Sequence, residues 1–118
     1  MELEQELFTI EEGFWLSGRA HFLAHLDASC LLAFPQAGEM QGVQTRENVA
    51  RTATSENRWK DLRMTDRSLL RPSAELAIIS YRADVIRADG EPYAALIGSA
   101  YIRRDEGWKL AFHQHSPL

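Results

Sequence analysis

The sequence predicts an α+β fold in which N-terminal helices pack on one face of a strongly curved, mostly antiparallel sheet. Apolar residues recur at helical spacing near the start, and runs rich in β-branched and aromatic residues fill the stretch from Ala74 to Pro117. Those runs are separated by Asp89-Gly90 and by Asp105 to Gly107, which read as turns. Helices with one apolar stripe need a second layer to cover it, and a sheet with one apolar face supplies that layer.

Residues 2 to about 16 place Leu3, Leu7, Ile10 and Phe14 on one side of a helix, with Trp15 beside the stripe and Glu2, Glu4, Glu6 and Glu12 mostly elsewhere on the wheel. Ser17 and Gly18 interrupt it. A second short helix from Arg19 to about Asp27 carries Phe22 and Leu26 on one side and His21 and His25 on another. Cys30 to Pro35 is a short apolar run ended by a proline, and Gln36 to Gly38 reads as the turn of a small hairpin returning through Met40. A third helix is predicted from Gln44 to about Thr54, with Thr45 as N-cap, Glu47 in its first turn, and Val49 and Ala53 on its apolar side. Trp59 to Arg71 reads as a strand with a bulge near Thr65 and Asp66, and Pro72-Ser73 turns the chain into the final meander.

A two-residue turn at Asp89-Gly90 sets Ala77, Ile79, Tyr81, Ala83 and Val85 opposite Ile102, Ala100, Gly98, Leu96 and Ala94 on a nearly all-apolar face. A three-residue loop at Asp105 to Gly107 adds Leu110, Phe112 and Gln114 to that face. Ser80, Arg82, Ser99, Tyr101, His113 and His115 then fall on the opposite face, which is too apolar overall to be only solvated.

The chain has 118 residues and a net charge of −4, which predicts a single domain spanning 1–118 and argues against nucleic acid as partner, since no basic face is available. One cysteine, Cys30, excludes an internal disulfide and a cysteine-rich zinc site. No apolar run reaches the ~18 residues of a membrane span, and the acidic start is unlike a signal peptide, so a cytoplasmic protein without membrane contact is expected.

The helix ending in Phe14 and Trp15, the segment from Phe34-Pro35 through Gly38 and Gly42, Tyr81, the strand from Ser99 to Asp105 and the closing stretch Trp108 to Pro117 carry a resemblance over essentially the whole chain. The sequence resembles the nuclear transport factor 2-like superfamily, the cystatin-like α+β cone, and within it the SnoaL-like and unknown-function groups of small bacterial proteins. The resemblance implies a cone with a pocket between helices and sheet, and homodimers paired through the other sheet face. Isomerases, dehydratases, binding modules and assembly domains share this fold, so activity does not follow from it.

The implied pocket draws on Trp15, Phe22, Phe34, Met40, Trp59, Tyr81, Phe112 and Gln114, which suits a small apolar or aromatic molecule; the same residues could equally fill an ordinary core. Ketosteroid isomerase-like members place a catalytic aspartate just before the proline, where this chain has Phe34, so that mechanism does not carry over at this position. Asp27 and Asp84 are expected to be exposed. His25, Tyr81 and His113 remain as acid–base candidates. In the register above, Ser80, Arg82, Ser99, Tyr101, His113 and His115 form the dimer contact. His21 and His25 are spaced as a metal pair but lack a third ligand and an HExxH pattern, so no metal or cofactor is expected. Arg103 and Arg104 read as solvated, and Cys30 as a small buried apolar residue. Three readings follow: a homodimeric small-molecule-binding protein, a SnoaL-like or dehydratase/isomerase-type enzyme acting on a cyclic apolar substrate, or a structural assembly module.

Overall fold

The computed structural model describes residues 2–35, 40–53 and 59–118. The elements run α1 (Glu2–Leu16), α2 (Arg19–His25), β1 (Leu26–Ala33), β2 (Gly42–Thr45), α3 (Arg46–Thr52), β3 (Trp59–Ser73), β4 (Leu76–Arg87), β5 (Pro92–Arg104) and β6 (Gly107–Pro117). The six strands form one sheet in the order β2-β1-β6-β5-β4-β3, antiparallel throughout except for the parallel pairing of β1 with β6. The helices pack on one face, and the expected α+β architecture is present.

Local chemistry accounts for most boundaries. Gly18 starts α2 without a side-chain cap, whereas the Thr45 hydroxyl accepts from the Asn48 N–H (3.2 Å) at the start of α3, as its sequence predicts. The strand β3 is interrupted where expected, with a register shift between Thr65 and Ser68 and a positive φ of 54° at Asp66. It runs on through Pro72 to Ser73, so the turn into β4 falls at Ala74 and Glu75 rather than at Pro72-Ser73. The hairpin turn expected at Gln36 to Gly38 lies outside the described residues.

Two corrections concern the hairpins, and they decide which side chains face inward. At the β4–β5 turn, Arg87 N–H donates to the Glu91 carbonyl (2.8 Å) and Gly90 N–H to the Arg87 carbonyl (2.9 Å), closing a three-residue loop of Ala88, Asp89 and Gly90. A type I′ turn needs positive φ at both central residues, but here only Gly90 has it (92°), while the Asp89 carboxylate accepts from the Glu91 N–H. One added loop residue turns every β5 side chain over. Ala77, Ile79, Tyr81, Ala83 and Val85 do face inward, but opposite Tyr101, Ser99, Ile97, Ala95 and Tyr93. The β5–β6 loop is one residue shorter than expected, with Arg104 paired to Gly107, and a bulge follows: Tyr101 pairs with Leu110 and Ala100 with Phe112. Ala111 is the residue left over. Leu110 therefore faces the helices, Phe112 faces away, and His113 returns inward.

Candidate functional site

Helix α1 presents Leu7, Phe8, Ile10, Glu11 and Trp15 to the sheet, and all are buried. Glu11 lies one turn from both Leu7 and Trp15, so helical geometry aims its carboxylate at the inner face of β4 and β5, and it is 0 % exposed. Four groups compensate its burial. The Tyr81 hydroxyl (2.6 Å) and the Ser99 hydroxyl (2.7 Å) donate to Oε2, the Tyr101 hydroxyl (2.5 Å) donates to Oε1, and His113 Nδ1 lies 3.4 Å from Oε2. Trp15 Nε1–H donates in turn to the Tyr81 hydroxyl (2.9 Å).

The network continues outward along β6. His113 Nδ1 lies 2.7 Å from Ser99 Oγ, the two Nε2 atoms of His113 and His115 are 2.9 Å apart, and His115 Nδ1 is 3.0 Å from the Tyr93 hydroxyl. Donor counting assigns the protons. Ser99 has one hydroxyl hydrogen and gives it to Glu11, so His113 Nδ1 must carry the hydrogen between them. With both rings neutral, Tyr93 donates to His115 Nδ1 and His115 Nε2–H donates to His113 Nε2. A proton arriving at His113 Nε2 reverses only these outer two bonds and leaves the Glu11 half unchanged. The pair can accept or release a proton without orphaning a buried group.

The electrostatics agree with this arrangement. Burial pushes the Glu11 pKa up, but the hydrogen bond from His113, the charge that ring carries once its Nε2 is protonated, and the bonds from Tyr101 and Tyr81 outweigh it, so the carboxyl is held below its ordinary value. Burial, reinforced by the Glu11 charge, raises both Tyr81 and Tyr101 well above the ordinary phenol value, which keeps them as donors. Burial drives His115 down to about 3, with repulsion from His113 and Arg87 helping and Glu11 opposing, so this ring stays neutral in neutral solution.

A cavity of about 360 Å³ opens between the helices and the sheet. Phe14, Trp15, Phe22, Phe34 and Trp59 form its aromatic walls, Leu26, Leu32, Met40, Val49 and Leu110 its aliphatic ones, and Thr52, His113 and His115 its polar groups. His115 stacks on Trp15 (ring centroids 5.1 Å) and meets Phe34 edge-on (4.9 Å).

Of the residues expected in the pocket, Trp15, Phe22, Phe34, Met40 and Trp59 line the cavity, and Tyr81 lies buried beneath it holding Glu11. Phe112 and Gln114 do not: the β4–β5 loop puts them on the outer face, paired with Ala100 and Gly98. Conversely, Ser99, Tyr101, His113 and His115, expected at a dimer contact, face inward, while Ser80 and Arg82 keep the outer face. His25 packs on His21 (4.4 Å between centroids) away from the cavity, and the His21 ring hydrogen-bonds the Ile10 carbonyl (2.9 Å). Gly13 makes this contact possible, since a Cβ there would come within 2.1 Å of the His21 ring. Asp27 and Asp84 are engaged by Arg104 and Arg82 in two-point ion pairs, and burial raises the Cys30 thiol to about 11. Among the described residues no group of three His, Cys, Asp or Glu is arranged for a metal, and no helix is long and apolar enough to cross a membrane.

Glu11 is the residue that sequence reasoning missed. Its signal was the i, i+4 series Leu7, Glu11, Trp15, in which a carboxylate sits between two core residues.

Three helices closing a cavity against one face of a six-stranded mixed sheet make this an α+β protein of the nuclear transport factor 2-like, cystatin-like fold. An NTF2-like protein from Cytophaga hutchinsonii superposes with a TM-score of 0.77 over 100% of both chains at 12% identity. A protein from Parabacteroides distasonis provisionally titled a ketosteroid isomerase gives 0.74, covering 95% of this chain and 85% of that one at 13% identity. The association domain of C. elegans CaMKII gives 0.69, covering 98% and 92% at 10% identity. No protein-family model matches the sequence, and no curated protein matches it.

Proposed function

We propose that this chain binds a small apolar or aromatic molecule in its cavity and moves a proton on it through His113, as an isomerase- or dehydratase-type enzyme would. The observation that carries this reading is the His113–His115 pair in the wall of an otherwise apolar cavity, with His113 backed through Ser99 by a fully buried carboxylate. Phe34 still argues against the aspartate of ketosteroid isomerase-like members; here the base is on a different strand. The closing segment Trp108 to Pro117 supports a SnoaL-like grouping, and the free thiol of Cys30 supports a reducing, cytoplasmic compartment.

The test is deuterium exchange at the carbon next to the carbonyl of 2-tetralone, followed by proton NMR in D2O. Saturable exchange above buffer is expected, and Thr52→Trp, which places a large ring at the exposed cavity rim, should abolish saturation. Equal rates with and without protein, or with a blocked rim, would discard the reading.

The outer sheet face supports homodimer formation. Cross-strand pairing aligns Leu70, Ile78, Ala100, Phe112, Leu31 and Val43 in one apolar row across all six strands. Leu70 and Val43 are 61 % and 75 % exposed. Ile78→Glu is expected to raise the dimer dissociation constant by at least tenfold, read by light scattering over a concentration series, with 2-tetralone exchange retained. A wild-type chain that stays monomeric at micromolar concentration would rule the dimer out. The association-domain neighbour keeps an assembly role as the second reading, and this same face would serve it.

A further inference from the structure

We propose that Tyr93 is the proton outlet of the site: a proton exchanged at His113 travels through His115 to the Tyr93 hydroxyl and leaves for solvent by a route separate from the cavity. The inference rests on His113 acting as an acid–base group, as argued above, and adds the path by which its proton meets water. That path is a continuous chain of hydrogen bonds. His113 Nε2 lies 2.9 Å from His115 Nε2, and His115 Nδ1 lies 3.0 Å from the Tyr93 hydroxyl. Both histidines line the cavity, whereas the half-buried Tyr93 lines a second hollow, of about 500 Å³, which the exposed Asp61, Pro92 and Leu118 open to solvent. The two hollows have no described lining residue in common. Tyr93 therefore bonds the histidine chain on one side and borders open space on the other.

The transfers balance. With His113 protonated on both nitrogens, its Nε2–H donates to His115 Nε2, His115 Nδ1–H donates to the Tyr93 oxygen, and the Tyr93 hydroxyl donates to water. The His113 Nε2 hydrogen then passes to His115 Nε2, the His115 Nδ1 hydrogen passes to the Tyr93 oxygen, and the Tyr93 hydrogen passes to water. One proton has left His113 and one has reached solvent, and all three side chains are back in their neutral arrangement. His115 is what makes Tyr93 necessary. Burial drives that ring down to about 3, so it does not store the charge and passes a proton on only as its far nitrogen gives one up. The far nitrogen is the one bonded to Tyr93. Departure on the other side of His113 would need water in the cavity, where the ligand sits.

The experiment compares wild type with Tyr93→Phe, which keeps the ring that packs on Trp59 (centroids 5.5 Å) and removes only the hydroxyl. Deuterium exchange into 2-tetralone needs the proton to reach solvent. Isomerisation of 2,2-dideuterio-3-cyclohexenone to 2-cyclohexenone in H2O needs only that the removed deuteron return at another carbon of the same molecule. Tyr93→Phe is expected to slow the exchange about tenfold and to leave the isomerisation within about twofold of wild type. Its product should keep most of the migrating deuterium, which wild type loses to water. His115→Gln, which cuts the chain one step nearer His113, should retain the label as well. A tyrosine that served only packing would lower both rates together and leave the label loss unchanged. Wild type that itself retains the deuterium, or a Tyr93→Phe product as depleted as that of wild type, would overturn the outlet, while 2-tetralone exchange by wild type would keep the acid–base reading. If wild type exchanges no 2-tetralone, that reading fails and the outlet fails with it.

Discussion

Replacing Glu11 by alanine is expected to destabilise the fold by about 3–5 kcal/mol, measured by urea unfolding at neutral pH. The substitution relieves the cost of burying a charge, which taken alone would stabilise. It also leaves the hydroxyls of Tyr81, Ser99 and Tyr101 without their acceptor in a region where all three are buried, at about 1–3 kcal/mol for each group left unpaired. The second effect wins because the same network already holds Glu11 below the ordinary carboxyl range against full burial. Against the 5–15 kcal/mol typical of a small domain this is a large share. Ser99→Ala and Tyr101→Phe should each cost less, and their sum should not equal the Glu11 loss, since the groups share one carboxylate.

The pH dependence carries a sign. A carboxyl whose folded pKa is depressed stabilises fully above the unfolded value, about 4.3, and loses that contribution as pH falls through the folded value. Wild type should therefore weaken below about pH 4.3, and Glu11→Ala should show a flatter dependence over that window. A variant within about 1 kcal/mol of wild type at pH 7 would mean that the hydroxyls find other partners and that Glu11 is not the centre of the network.

The fold was legible because its signals are redundant: the stripe of Leu7 and Ile10, the cap at Thr45 and the alternation of β4 each point the same way. The site was not, because its facing hung on loop lengths. Asp89-Gly90 is compatible with a two-residue turn and with the last two residues of a three-residue one, and nothing local distinguishes them; whether Ala88 belongs to the strand or to the loop decides whether Ser99 and His113 face the cavity or solvent. Polar character misled in the same direction. Serine, tyrosine and histidine read as the wetter face when taken strand by strand, and only the buried anion on a distant helix makes them an inner set. Their partner is 70 to 102 positions away in the chain, a contact no local pattern reports. The bulge at Ala111 adds a second switch of phase, which is why Leu110 and His113 can both be inward.

The largest kinetic effect is expected at His113. In His113→Gln the amide can still donate to Ser99 but cannot take a proton, and exchange on 2-tetralone should fall by roughly 10²–10⁴-fold with little change in KM, the range for loss of a positioned acid–base group. His115 remains neutral at working pH and relays rather than holds the charge, so His115→Gln should cost less. Ser99→Ala separates positioning from chemistry: both rings stay, but the nearer acceptor of the His113 Nδ1 hydrogen is gone and only the Glu11 oxygen at 3.4 Å remains to hold the tautomer. Nitrogen-15 shifts of the His113 ring should then report mixed tautomers, with kcat reduced and KM unchanged, whereas a purely structural serine would lower stability and leave the tautomer alone. If His113→Gln exchanges protons as fast as wild type, the buried Glu11 serves only the fold, and the cavity is a binding site without acid–base chemistry at this pair.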